Sequence, residues 1–108
     1  MAPEERYSRI AGMITALSQP KRLQIVDMLS CGELCACEIL EAFHITQPTL
    51  SYDMKVLTEA GIVKGRKDGK NTYYTLRQEN LTWLLGELNA VCSDTPDCLC
   101  HVAHRGDC

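Results

Sequence analysis

The sequence predicts a mainly α-helical domain carrying a single β-hairpin, and three observations predict it. Apolar residues recur at helical spacing in five stretches between Pro3 and Val91. Pro20 and Pro48 stand where helices would begin, and Gly32 and Gly61 where they would stop. Two β-prone runs flank Asp68-Gly69-Lys70-Asn71, which reads as a tight turn.

Each element follows from its residues. Pro3 to Leu17 places Tyr7, Ile10, Ala11, Ile14 and Leu17 along one face of a helix. Gln19-Pro20 ends it and opens a second helix, whose Leu23, Ile25, Val26 and Leu29 are closed off by Cys31-Gly32. A short third helix is expected from Leu34 to Phe43, with Leu34, Ile39, Leu40 and Phe43 apolar, and His44-Ile45-Thr46 forms a turn. Thr46 suits the cap of a fourth helix and Pro48 its first turn, while Leu50, Met54, Leu57 and Ala60 make its apolar stripe. Two helices joined by so short a turn make a helix-turn-helix. Ile62 to Lys67 and Thr72 to Leu76 form a hairpin directly behind it, the position of a wing. Leu81, Leu84, Leu85, Leu88 and Val91 mark a last helix, broken by Ser93 to Pro96.

The expected organisation is a winged helix-turn-helix domain over residues 1–92 and a polar, cysteine-rich tail over residues 93–108. The first and last helices leave apolar faces that so short a chain would cover by pairing with a second copy, so a homodimer is expected.

Composition narrows the function. Hydrophobic residues make up 45% of the 108, enough for a core, yet no apolar run approaches a membrane span. The start, Met1-Ala2-Pro3-Glu4-Glu5, is acidic and unlike a signal peptide, so a cytoplasmic protein without a membrane partner is expected. Seven cysteines, an odd number that includes two Cys-x-Cys pairs, then point to metal or redox chemistry rather than disulfide stapling. The formal net charge is −3, but residues 46–77 hold six Lys/Arg against three Asp/Glu. Phosphate contacts are local, so this basic stretch is compatible with nucleic acid.

In a helix-turn-helix the second helix enters the major groove, its N-terminal residues against the bases. Gln47, Thr49, Ser51, Tyr52 and Lys55 form the polar face near that end. Gln47 suits adenine, and the hydroxyls of Thr49 and Ser51 suit base or phosphate. Arg66, Lys67 and Lys70 on the wing would meet phosphate or the minor groove. Asp53 is out of place beside phosphate; it would accept from a cytosine amino group, serve as a cap, or pair with a neighbouring lysine. Two such helices in a dimer, roughly 34–36 Å apart, match a palindromic operator.

Glu33-Leu34-Cys35-Ala36-Cys37-Glu38 puts two thiols one residue apart at the head of the third helix. Soft ions prefer thiolate to oxygen ligands. On a regular α-helix residues two apart point about 200° away from each other, so an ion shared by Cys35 and Cys37 would have to distort the helix that supports the recognition helix. Cys31, Cys98, Cys100 and Cys108 are candidates for a third thiolate, and solvent is the remaining option. Small apolar packing is the simpler account of Cys31 and Cys92. Cys98, Cys100, His101 and His104 make up a zinc-type ligand set at poor spacing.

From about Ala16 to Leu76 these residues resemble the arsenic-responsive repressors of the ArsR/SmtB family. The Cys-x-Cys box, Gln47-Pro48-Thr49-Leu50-Ser51, Met54-Lys55-Val56-Leu57, Glu59-Ala60-Gly61-Ile62-Val63 and Arg66-Lys67-Asp68-Gly69-Lys70 fall in the family's order. Cys31-Gly32 and the cysteine-containing tail look closest to its Gram-positive plasmid type. The resemblance implies a repressor that binds operator DNA with no cofactor and is released by arsenite or antimonite, so that efflux and reductase genes are expressed. Two positions depart from the pattern: Leu40 stands where the best-known arsenic members carry a third cysteine, and Asp53 where many carry a histidine. A cadmium, lead or zinc sensor of the same fold and a peroxide-driven thiol switch are the rival readings. An arsenate reductase using Cys35 or Cys37 would need a phosphate loop and alternating strands, and neither pattern is present.

Overall fold

The computed structural model describes residues 2–93 and Leu99. Its elements run α1 (Pro3–Leu17), α2 (Pro20–Leu29), β1 (Leu34–Cys35), α3 (Ala36–Phe43), α4 (Gln47–Glu59), β2 (Val63–Asp68), β3 (Asn71–Leu76) and α5 (Gln78–Val91). The mainly α architecture, with a helix-turn-helix and a hairpin wing, is as the sequence predicts. The expected tail over residues 93–108 lies, apart from Ser93 and Leu99, outside the described residues.

Local chemistry sets the boundaries. Proline occupies the first turn of α1, α2 and α4, where its missing N–H costs nothing. The Thr46 hydroxyl accepts the Thr49 amide at 3.3 Å and caps α4. His44, at φ 52° and ψ 38°, ends α3 in the left-handed region and turns the chain towards α4. Gly61 and Gly69, at φ 78° and 65°, make the turns after α4 and at the hairpin tip.

Three details differ from the sequence reading. Leu34 and Cys35 are not helical. They form β1, antiparallel to β3, with Leu34 opposite Tyr74 and Cys35 opposite Tyr73. The sheet order is thus β1-β3-β2, and α3 begins at Ala36. Helix α5 begins at Gln78, three residues before Leu81, where the Asn80 amide donates to Gly61 O at 2.7 Å and ties the helix to the α4–β2 turn. On α1 the buried residues are Ile10, Met13 and Ala16, whereas Tyr7 and Ile14 are exposed.

One core joins the elements. Ile25 and Leu29 of α2, Ile39 of α3, Leu50, Met54 and Leu57 of α4, Val63 of β2 and Leu84 of α5 pack against the α1 face. Arg6 pairs with Glu87, and the Arg9 guanidinium lies 4.3 Å from the centroid of the Trp83 ring, docking α1 on α5. Tyr7, Ile14, Leu85 and Val91 stay exposed on those two helices. Among the described residues no helix is long and apolar enough to cross a membrane.

Candidate functional site

The sequence-predicted DNA residues all lie at the surface. Gln47, Thr49, Ser51, Tyr52 and Lys55 are exposed on α4, Tyr52 by 64%. The Thr49 hydroxyl is 2.9 Å from that of Thr46, so part of its bonding capacity serves the cap. Arg66 and Lys67 are exposed on β2, and Lys70 in the turn after it.

Asp53 is not among them. It is 8% exposed, on the inner side of α4, and its Oδ1 accepts from Arg22 Nη1 at 3.2 Å. Arg22 is equally buried, and its Nε donates to Ala16 O at 2.6 Å. One guanidinium therefore joins the end of α1, the start of α2 and the middle of the recognition helix. The expectation of a cytosine or lysine partner is wrong for a spatial reason: the partner is 31 residues away in sequence. The spacing held a signal, because Leu50, Asp53, Met54 and Leu57 fall at i, i+3, i+4 and i+7 and so share one face.

The wing carries its own contacts. Arg66 Nη2 donates to Glu33 Oε1 at 2.9 Å, Nη1 is 3.8 Å from Asp68 Oδ2, and the guanidinium is 4.9 Å from the centroid of the Tyr73 ring. The hydrogen bond that Arg66 donates to Glu33, and next the Glu33 charge, raise the Arg66 pKa above its ordinary value. Burial alone raises the Tyr74 phenol on the neighbouring strand position. Gly65 is opposite Tyr74, and a Cβ there would come within 3.1 Å of the ring, so this position keeps the wing close to β3.

The thiol pair sits where sheet and helix meet. Cys35 has extended backbone, at φ −84° and ψ 153°, and is the N-cap of α3; Cys37 lies in the first turn. The Cys35 sulfur accepts from Cys37 N at 3.2 Å, and the Glu38 carboxylate accepts from Cys35 N at 2.8 Å, which makes a capping box with sulfur in the place of a hydroxyl. The residue three places after the cap was a readable signal for this arrangement. The two sulfurs are bonded to each other, with the Cα atoms 5.4 Å apart. This corrects the expected divergence of about 200°. That geometry holds inside a helix, and Cys35 is outside it. The two sulfurs meet without any unwinding of α3.

Access to the pair is one-sided, since Cys35 is 5% exposed and Cys37 is at the surface. Cys31 and Cys92 are free and exposed. Among the described residues no three His, Cys, Asp or Glu side chains converge as a metal site. Cys98, Cys100, His101, His104 and Cys108, the other third-ligand and zinc candidates, lie outside the described residues.

Known proteins share this architecture. A family model described as "Bacterial regulatory protein, arsR family" matches residues 19–64. The arsenical resistance operon repressor of Staphylococcus aureus is 41% identical over 102 residues, covering 94% of this chain and 98% of that one. The crystal structure of a possible transcriptional regulator for arsenical resistance superposes with a TM-score of 0.69 at 30% identity, over 76% of this chain and 85% of that one. The homodimeric winged helix-turn-helix DNA-binding domain Mb0332 of Mycobacterium bovis, solved by NMR, also gives 0.69, at 27% identity over 84% and 86%. With near full-length identity of this order and the same succession of helices and wing, the chain belongs to the ArsR family of bacterial regulatory proteins: it is a DNA-binding regulator of transcription, not an enzyme.

Proposed function

We propose that this chain is a metalloid-responsive repressor that acts in the cytoplasm. As a homodimer it binds operator DNA, and trivalent arsenic or antimony captured by Cys35 and Cys37 releases it. The observation that carries this reading is the convergence of two sulfurs at the head of α3, the first helix of the helix-turn-helix. With both groups as thiols, arsenous acid exchanges two hydroxides for two sulfurs, and each thiol proton leaves in a water molecule. Soft-ion preference favours sulfur over the adjacent Glu38 oxygen. The third position on the ion is filled by Cys31, by a tail cysteine or by solvent.

Capture re-employs the sulfur that caps α3, so binding acts on the start of the helix rather than on its interior. A coupling of about 1–3 kcal/mol weakens operator affinity roughly 5–150-fold. The exposed Tyr7, Ile14, Leu85 and Val91 supply an apolar surface for a second copy. Gln47, Thr49, Ser51, Tyr52 and Lys55 are assigned to the major groove, and Arg66, Lys67 and Lys70 to phosphate or the minor groove.

The test is an operator-binding titration by fluorescence anisotropy with arsenite, antimonite, cadmium and zinc. Cys35→Ser and Cys37→Ser should bind operator normally and lose arsenite release; normal release in either variant refutes the site. A peroxide-operated thiol switch is a second reading, favoured by the sulfur–sulfur bond itself. Release by peroxide but not by arsenite would select it.

A further inference from the structure

We propose that Glu33 and the operator phosphates compete for Arg66, so that the thiol box reaches DNA through the wing as well as through the recognition helix. The trigger rests on the thiol-sensing reading above; the competition rests on geometry alone.

The small sheet provides the path. Cys35 is opposite Tyr73 on β3, and Tyr73 is opposite Arg66 on β2. These three residues form one row across the sheet. At about 4.8 Å per strand, Cys35 and Arg66 are roughly 10 Å apart along it. Glu33 is two residues ahead of Cys35, and its carboxylate crosses to the same arginine, holding Nη2 at 2.9 Å. Among the described residues neither Lys67 nor Lys70 has such a partner.

A guanidinium grips phosphate best with two parallel N–H groups. Arg66 is 55% exposed, in reach of a partner from outside, but Glu33 occupies one of its nitrogens. A phosphate on Arg66 must either displace Glu33 or sit beside a like charge. Both cost affinity. The contact is present with the Cys35 and Cys37 sulfurs joined. A metalloid bridging the sulfurs stands in for that bond. Joining them fixes Cys35, already held by Glu38 and by its pairing with Tyr73, and with it the start of β1. Ligand capture therefore favours the Glu33–Arg66 contact and withdraws a phosphate contact from each wing.

The experiment uses the full-length protein, reduced with a phosphine, and a duplex selected by the wild type from a random pool. Glu33→Gln should tighten operator binding about 2–5-fold without arsenite. It should shrink the arsenite-induced loss of binding and leave the arsenite–thiolate ultraviolet absorbance titration unchanged. In an Arg66→Gln background the same substitution should do nothing to operator binding. Unchanged or weaker binding by Glu33→Gln overturns the competition, as does tightening that persists without Arg66. A release factor equal to that of wild type overturns the link to the thiol box. If the wild type shows neither an absorbance band nor release with arsenite, the sensing reading fails while the Arg66-dependent tightening still decides the competition.

Discussion

The recognition helix and the wing both carry residues assigned to DNA, but different forces hold them. Helix α4 is anchored from below by Leu50, Met54 and Leu57, at most 2% exposed, and by the buried Arg22–Asp53 pair. In β2, only Val63 is buried; the remaining residues rely on pairing with β3 and on exposed contacts around Arg66. Dense packing permits few small adjustments, whereas exposed ion pairs exchange partners at little cost. On the proposed reading the difference assigns roles: α4 would present a fixed surface to the bases, and the wing would be open to retuning by a nearby chemical event.

Asp53→Ala should give the largest effect. It leaves the Arg22 charge buried without its partner, a loss of about 3–5 kcal/mol. Thermal unfolding should show a midpoint lower by many degrees, and a loss below about 1 kcal/mol would erase the contrast between the two regions. Lys67→Ala or Lys70→Ala should show the reverse profile. Stability should stay within about 0.5 kcal/mol of wild type, while the slope of log affinity against log salt should fall by about one. An unchanged slope would remove that lysine from the interface.

The smallest effect sharpens the contrast at the root of the wing. Burial raises the Tyr74 phenol above its ordinary value near 10. A group whose pKa is higher in the folded chain contributes stability that is present below the unfolded value and lost as pH rises through the folded one. The wild type should therefore lose stability on the alkaline side of about pH 10, and Tyr74→Phe should flatten that arm of the pH–stability curve. If both proteins fall equally, the Tyr74 hydroxyl has no part in it.

Much of this was legible in the residues, because the signals were local. Pro3, Pro20 and Thr46 marked helix starts, and Asp68-Gly69 marked the hairpin. What escaped was made by partners distant in sequence. A two-residue strand such as β1 exists only because Tyr73 and Tyr74 are there to pair with it, and no periodicity announces it. The early start of α5 depends on Asn80 finding Gly61 O across the fold. At the candidate site, Cys35 and Cys37 were readable as a pair, but their mutual approach was not, since it follows from the extended backbone of Cys35. Arg22 carried no motif and emerges only where three elements meet, while Glu33 was readable as the first residue of the thiol box but not as the partner of Arg66.

The sulfur of Cys35 also terminates a helix, and that double duty has an evolutionary consequence. Serine is among the best residues for such a terminus. A Cys35→Ser replacement, reachable by one nucleotide change, would keep the helix start and discard the soft ligand. On the proposed reading, a lineage that stops meeting arsenic can slide into permanent silence of the genes this protein guards, with no folding defect to expose the carrier to selection.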